Sequence, residues 1–419
     1  MRRGQKNNRH NFQGDVWRDA SREVRLKVLD YLIESTKQSR KKKSPGAKRD
    51  RNLLERLPQN NADLEEALYE CILMAKRGKT RTVDESRFEA FWKDNLEQLT
   101  RDIINRRWKP SSSKAFITHT PVDREIFAAP FRDRIVHHLL YAVVAPWWDK
   151  RFIYDSYSCR RNKGTDFGVQ RMQKFMRSAL ANGKQKVYII KGDLSGYFMS
   201  LDRRLLYKKV MQGLRRQFPD GGWLYELCRY LWKEVIFDDP CAAARMVGSP
   251  KDWECLPANK SLFRQPKGRG IVIGNLTSQL LSNIMLNEFD WFMKKKLGFK
   301  YYGRYVDDFY IIVLENEYEF ARRLMLNEVP EKLRRMGLTL HPKKIYIQEV
   351  SHGCPFLGKM VRPYVMTPGK RYIRNMRKAF FGYVDGTTNY DTIQAYVGFG
   401  KNMAAYTEMK KVISGLEAR

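Results

Sequence analysis

"GRYVDDFYII", residues 303–312, sets two adjacent carboxylates, Asp307 and Asp308, between two apolar and aromatic runs. The wider stretch "YYGRYVDDFYIIVL" (301–314) reads as two short strands about a turn, because β-forming residues flank a charged break. Two readings of the acidic pair stand side by side. Asp is a common turn residue, so the pair can mark a turn and nothing more. Close carboxylates also repel unless a cation holds them, so the pair can mark a metal site. Side chains alternate faces along a regular strand, and both aspartates can face one spot only where a tight turn breaks that alternation.

Outward from the hairpin, "KVYIIKGDLSGYFMSL" (186–201) is an apolar strand that ends at Asp193. If Asp193 faces the same spot, three carboxylates converge, and such a cluster binds hard divalent cations, Mg²⁺ being the physiological choice. Two ions about 4 Å apart activate an attacking hydroxyl and stabilise a departing phosphate, as polymerases and nucleases require. "LTSQLLSNIMLNEFDWFMKKKLG" (276–298) has helical spacing, a further helix is expected near 317–336, and "LTLHPKKIYIQEV" (338–350) reads as strand. From Leu53 to Trp108 the pattern is helical, as in "DLEEALYECILMAKRG". The order is strand, helix, helix-rich insert, hairpin, helix, strand, with no internal repeat. That order predicts an α+β fold with an antiparallel or mixed sheet covered by helices.

Composition narrows the partner. The 419 residues are 43% hydrophobic, enough for a sizeable core, and carry 79 Lys and Arg against 46 Asp and Glu, a net charge of +33. An excess this large repels itself unless a polyanion neutralises it, so nucleic acid is the first candidate and an anionic membrane surface the second. No apolar stretch is long enough to span a bilayer, and "MRRGQKNNRH" does not lead into a signal-peptide core. Six scattered cysteines without a CxxC pair argue against structural zinc and disulfides and fit a cytoplasmic protein. Residues 1–52 are polar and basic, with "RKKKSPGAKRDR" at 40–51 readable as a solvated linker or as an arm on RNA phosphates. A helix is expected within "DASREVRLKVLDYLIEST" ahead of that run.

The ordered set "DLSGYF" (193–198), "IGNLTSQ" (273–279), "YVDD" (305–308), "HPKK" (341–344) and "FLG" (356–358) resembles the polymerase motifs of reverse transcriptases. Upstream, "REIFAAPFRDRIVHHLL" (124–140) and "YSCRRNKGT" (157–165) resemble the fingers motifs of the bacterial, group II intron-like branch. The resemblance runs from about residue 55 to 400. It implies a right-hand polymerase: a basic extension (1–52), fingers (53–185), a palm (186–362) with a helix-rich insert at about 205–265, and a thumb (363–419). It implies that Asp193, Asp307 and Asp308 bind two Mg²⁺ ions, Asp193 and Asp307 bridging both and Asp308 mainly supporting.

The same resemblance assigns further residues. Phe198 would crowd a ribonucleotide 2′-hydroxyl and so select deoxynucleotides. Lys344, with Lys343 as its competitor, would protonate the leaving pyrophosphate. Arg124 would grip the triphosphate through its planar fork, although "THTPVD" lacks the lysine that relatives carry nearby. Leu194, Ile273, Gly274 and Gln279 fall on the nucleotide-binding motifs. Arg134, Arg160, Lys163 and Tyr305 are candidate nucleic-acid contacts, with an ordinary surface salt bridge an equal alternative for the three basic ones. The adjacent histidines of "RIVHHLL" point about 100° apart on a helix and read as structural.

Most relatives carry a QGxxxSP pattern in the third motif, where this chain has Ile273 and Gln279 at its ends. Together with "LPANKSLF" (256–263), that departure resembles the enzymes of diversity-generating retroelements, which copy a template-repeat RNA with errors opposite adenine. The expected partners are then template-repeat RNA, the RNA/cDNA duplex, dNTPs and a ring-shaped accessory variability protein, with no membrane. A defence-associated bacterial reverse transcriptase is the alternative, and a non-catalytic RNA-binding scaffold the one from another class.

Overall fold

A computed structural model describes residues 21–34, 54–77, 81–119, 122–183, 185–401 and 403–417. Helix α1 (Arg22–Glu34) precedes α2 (Asn61–Lys76), α3 (Val83–Ala90) and α4 (Trp92–Ile104). Local chemistry starts two of these. Asn60 accepts hydrogen bonds from the Ala62 and Asp63 amides, and Thr82 accepts one from Glu85. Strands β1 (Lys114–Thr118) and β2 (Arg124–Ala128) form an antiparallel hairpin, followed by α5 (Phe131–Asp149). Helix α5 is apolar almost all round and accordingly buried almost all round.

Helix α6 (Thr165–Leu180) leads to β3 (Val187–Asp193), then to α7 (Arg203–Gln217) and α8 (Trp223–Phe237) of the insert. Helix α9 (Leu276–Trp291) leads to the hairpin of β4 (Tyr301–Tyr305) and β5 (Asp308–Leu314). Helices α10 (Glu315–Leu326) and α11 (Glu328–Arg335) precede β6 (Tyr346–Glu349). The main sheet has the order β4-β5-β3-β6 and is antiparallel throughout. Alternation divides its two faces. Val187, Ile189, Tyr310 and Ile312 pack against α6, while Ile190, Phe309, Ile311 and Val313 join the large helical core. The expected α+β fold is what forms.

Two segments differ from the sequence reading. Within 338–350 only Tyr346–Glu349 is strand, and Pro342–Lys344 forms one 3₁₀ turn. Proline has no N–H for a ladder, and His341 Nδ1 accepts the Lys343 amide at 3.3 Å instead. The helix expected near 317–336 breaks at Asn327, which leaves Pro330 in the first turn of α11, where a missing N–H does no harm.

A small sheet of β7 (Cys354–Phe356), β8 (Lys359–Val361) and β9 (Met366–Pro368) follows. Then come α12 (Lys370–Val384), α13 (Tyr390–Gly400) and α14 (Tyr406–Glu417). Helix α1, which the sequence reading placed in the basic extension 1–52, packs into this C-terminal group. Leu29 and Ile33 are fully buried among Met376, Phe380 and Met409. Arg25 donates to the Tyr383 carbonyl at 3.0 Å, and Lys410 pairs with Asp30 and Glu34. The basic run at 40–51 lies outside the described residues.

Candidate active site

Strands β4 and β5 are joined by Val306 and Asp307 alone, since Tyr305 pairs with Asp308. Val306 takes a left-handed φ of 55°, a conformation a β-branched residue avoids. Arg304 holds it there. This arginine is fully buried and grips Asp290 with two bonds of 2.7 Å, while its Nη1 donates to the Val306 carbonyl at 2.8 Å. Tyr302 donates to the same Asp290 at 2.6 Å, and Ser158 Oγ accepts the Val306 amide at 3.1 Å. The turn is thus fixed from both sides by a buried bidentate ion pair. Sequence reasoning passed over Arg304 and Asp290. The available signal was a lone charge at the fourth position of the aromatic strand "YYGRY", which names no partner for it.

Asp193 is the cross-strand partner of Asp308, so the two side chains share one face of the sheet, their Cβ atoms roughly 4.5–5.5 Å apart. Tyr305 belongs to the same row through its pairing with Asp308. Asp307 closes the group from the turn, where its carbonyl accepts the Leu194 amide at 3.3 Å. The end of β3 is clamped by His341, whose amide donates to the Asp193 carbonyl at 2.8 Å. That contact delivers Lys344, whose Nζ lies 2.7 Å from Asp193 Oδ2. Lys191, two residues before Asp193 and on its face, lies 3.0 Å from Asp308 Oδ2 and donates to the Pro355 carbonyl at 3.1 Å. Lys191 was not anticipated.

Burial, with the neighbouring Asp193 charge adding to it, pushes the Asp307 carboxyl up to about 6. Burial also pushes Asp308 up to about 6, outweighing the opposing Lys191 ammonium. Asp308 Oδ1 is buried without a hydrogen-bond partner. Among the described residues no three acidic, His or Cys side chains are grouped as a ready ion cage. The donors present are nevertheless hard oxygens, one of them orphaned, and burial makes two of the carboxyls resist ionisation. That is the chemistry a divalent cation satisfies.

Beside this row, the turn after Asp193 bends through Gly196, φ 54°, where a Cβ would sit 2.6 Å from the Asn259 carbonyl oxygen. "LPANKSLF" therefore lies directly on the turn. Buried Glu125 anchors it by accepting from Ser261 Oγ at 2.7 Å, Trp253 Nε1 at 3.1 Å and the Leu262 amide. Phe198 and Ile273 are half-buried against one apolar cluster of Phe127, Met199, Trp253 and Leu262. Gly274 has φ 129°, and a Cβ there would meet the Phe127 carbonyl oxygen at 2.9 Å. Gln279 is exposed on the first turns of α9, and Arg124 is exposed at the start of β2. The Leu194 side chain is 2% exposed within the large core, so only its backbone is available to a ligand.

The basic candidates of the 124–165 region separate. Arg160 is committed internally: it bonds Asp149 Oδ1 at 2.6 Å and the carbonyls of Ile153, Ser156 and Asp149. It holds a turn, in line with the salt-bridge alternative the sequence left open for it. Lys163 donates to the Tyr154 carbonyl and sits over the Tyr154 and Phe167 rings, and burial lowers its ammonium to about 8. Arg134 lies over the Phe131 ring, 5.1 Å from its centroid, with Nε buried and unpartnered. The histidines are interior. His137 Nδ1 meets Thr277 Oγ1 at 2.9 Å, and burial lowers its pKa to about 3, so it stays neutral.

Residues 124–361 match the family model described as reverse transcriptase (RNA-dependent DNA polymerase). Protein YkfC of Escherichia coli (strain K12) is 29% identical over 203 residues, 48% of this chain and 46% of its own. The chain therefore spans about half the length of that curated relative. A solved telomerase structure from Candida albicans, in complex with a fragment of telomeric RNA, overlaps 77% of this chain and 61% of its own at 12% identity and a TM-score of 0.41. No helix among the described residues is long and apolar enough to cross a membrane.

Proposed function

The chain belongs to the reverse transcriptase (RNA-dependent DNA polymerase) family, and from that premise we propose that it polymerises DNA on an RNA template. The observation that carries this reading is the opposition of Asp193 and Asp308 at the end of the main sheet, with Asp307 in the adjoining turn. Asp193, Asp307 and Asp308 would hold two Mg²⁺ ions, which activate a primer 3′-hydroxyl and stabilise the departing pyrophosphate when bound. The chain's own groups do the rest. Lys344, already beside Asp193, is placed to give its proton to the leaving group. Arg124 offers a bidentate fork to the triphosphate. The Phe198 ring crowds a 2′-hydroxyl, and the backbone at Leu194 and Gly274 lets a nucleotide approach closely. In this reading the sheet and its insert are the palm, the helices before it the fingers, and the C-terminal bundle with α1 the thumb.

The finer reading is error-prone cDNA synthesis, mutagenised at adenine, from a template-repeat RNA of a diversity-generating retroelement. "IGNLTSQ" supports it, because Ile273 offers no amide where most of the family has one. The partners would be that RNA, the RNA/cDNA duplex, dNTPs and an oligomeric accessory protein in the cytoplasm. The test is primer extension on an RNA template with Mg²⁺, followed by sequencing of the cDNA. Product is expected, enriched in errors opposite adenine, and Asp307→Asn should abolish it while RNA binding persists. Extension that survives Asp307→Asn removes the assignment of the site, and an error spectrum indifferent to template base removes the finer reading.

A further inference from the structure

A second feature lies away from the acidic row, where the end of α5, the face of α7 and the end of α9 enclose a groove of about 520 Å³. Gln279 lies in the first turns of the same α9 helix, and at about 1.5 Å per residue it is about 18 Å from Trp291 at the other end. None of the groove's lining residues belongs to the candidate active site. Its rim carries Lys150, Arg151 and Arg216, which have no carboxylate partner among the described residues. Lys209 is neutralised by Glu288, which also pairs with Lys332. Lys294, Lys295 and Lys296 follow Trp291 in the chain, Lys294 turning inward to donate to the Lys300 carbonyl at 2.6 Å.

Aromatic faces interleave with these charges. The Arg151 guanidinium lies 3.3 Å from the Trp147 ring centroid. Trp291 is 41% exposed, and its Nε1 donates to the Arg151 carbonyl at 3.0 Å, which holds the ring at the rim. Trp148 forms the floor and reaches it because position 213 is glycine; a Cβ there would lie 2.5 Å from the Trp148 ring. Two floor atoms lack hydrogen-bond partners, the donor Trp148 Nε1 and the acceptor Asn287 Oδ1.

We propose that this groove binds single-stranded RNA, stacking a base on Trp291 and running the backbone along Lys150, Arg151 and Arg216. The chemistry favours RNA over an acidic peptide. A carboxylate offers only acceptors and gains nothing from exposed indole faces, whereas every base has a π-face and an edge with donors and acceptors. The site gives a template RNA longer than the polymerising cleft a second hold on a chain of net charge +33. Binding here stands whether or not the cleft polymerises.

The test uses the whole chain with its cleft saturated by a short RNA/DNA hybrid duplex. A fluorescent single-stranded RNA carrying 4-thiouridine is then titrated in, and its crosslinks are mapped by mass spectrometry. Crosslinks should fall on Trp291 or the 147–151 segment. Trp291→Ala should weaken RNA binding about 10-fold with little change in salt dependence, since stacking is lost and no charge is removed. Removing Lys150 and Arg216 should lower the salt dependence, and Arg334→Ala with Arg335→Ala, the same charge change elsewhere, should leave crosslinking at the groove unchanged. Extension of the preformed duplex should be the same in Trp291→Ala and in the unaltered chain. The proposal is overturned if crosslinks avoid the groove, if Trp291→Ala binds as tightly as the parent, or if poly-glutamate displaces the RNA from the groove while free RNA does not. Loss of extension with groove binding intact would count against the polymerase reading alone.

Discussion

Asp193 and Asp308 oppose each other across β3 and β5, and each is met by a lysine rather than by the other's counter-charge. Like charges directly opposite in a sheet destabilise it. Lys344 and Lys191 offset two of the three negative charges at this end of the sheet, and Asp308 Oδ1 remains unpartnered. The fold tolerates the cluster without fully satisfying it. That incompleteness has a thermodynamic signature.

Asp307 and Asp308 both titrate near 6, above the ordinary value of about 3.9 for an unfolded chain. The folded state therefore binds these protons more tightly. Their contribution to stability is complete below about pH 4 and is lost as pH rises through about 6. In EDTA, raising the pH from 4.5 to 7.5 should cost the unaltered chain about 2 kcal/mol more than Asp308→Asn, read by urea unfolding at each pH. Mg²⁺ should return part of that difference at pH 7.5 and little of it at pH 4.5, where the carboxyls are protonated. An equal pH response in the two chains would contradict the raised carboxyls.

The turn itself gives the next expectation. Arg304 spans Asp290 and the Val306 carbonyl, so Arg304→Lys keeps a charge but loses the fork that joins them. A displacement of about 1 Å in a reacting group can lower turnover about 100-fold. Arg304→Lys should therefore depress kcat for primer extension by about 10- to 100-fold and leave the KM for dNTP within about threefold. Asp290→Ala, which strands a buried guanidinium, should cost about 3–5 kcal/mol of stability. A variant with unchanged kcat would show that the turn needs no such brace.

The hairpin and the strand ending at Asp193 were legible because alternation and a charged break are local signals. Convergence of the three aspartates was legible only through the order of several motifs. The brace was not. Asp290 sits on a helix whose apolar spacing says nothing of a partner on β4, and buried ion pairs leave no period in a sequence. Arg160 and Lys191 show the same limit from two sides. Sequence alone left Arg160 between a nucleic-acid contact and a salt bridge, and it is enclosed by carbonyls; it gave no sign of Lys191, which touches Asp308. Helix α1 was visible as a helix, but its docking against residues some 350 positions away depends on packing that composition does not reveal.

That docking can be tested. Leu29 is fully buried between α1 and the C-terminal helices, and Leu29→Ala should cost about 2–5 kcal/mol locally. Limited proteolysis should then cut within 370–417 at protease levels that leave 186–361 intact. Lys410→Ala, which removes the pair to Asp30 and Glu34 at a partly exposed site, should have a smaller effect of up to about 1 kcal/mol. Simultaneous digestion of both regions in Leu29→Ala would mean that α1 is integral to the whole fold rather than to the bundle.

Ile273 offers the sharpest discrimination between readings of fidelity. Its backbone carbonyl accepts the Phe127 amide at 3.1 Å, and its side chain is half-buried in the cluster that Phe198 also borders. Gly274 next to it is locked by its positive φ, so the backbone course here is set independently of the side chain at 273. Replacing the branched apolar side chain with glutamine should thus change the chemistry presented to a nucleotide more than the path of the chain. A site that hydrogen-bonds its substrate discriminates far better than one that only packs against it. Ile273→Gln should lower misincorporation opposite template adenine about 10-fold or more while errors opposite the other bases change little, measured by sequencing cDNA from one RNA template. Stability should fall by about 1–3 kcal/mol, because part of the amide enters an apolar cluster. A variant that folds and extends primers with the parent's error spectrum would assign Ile273 to packing alone.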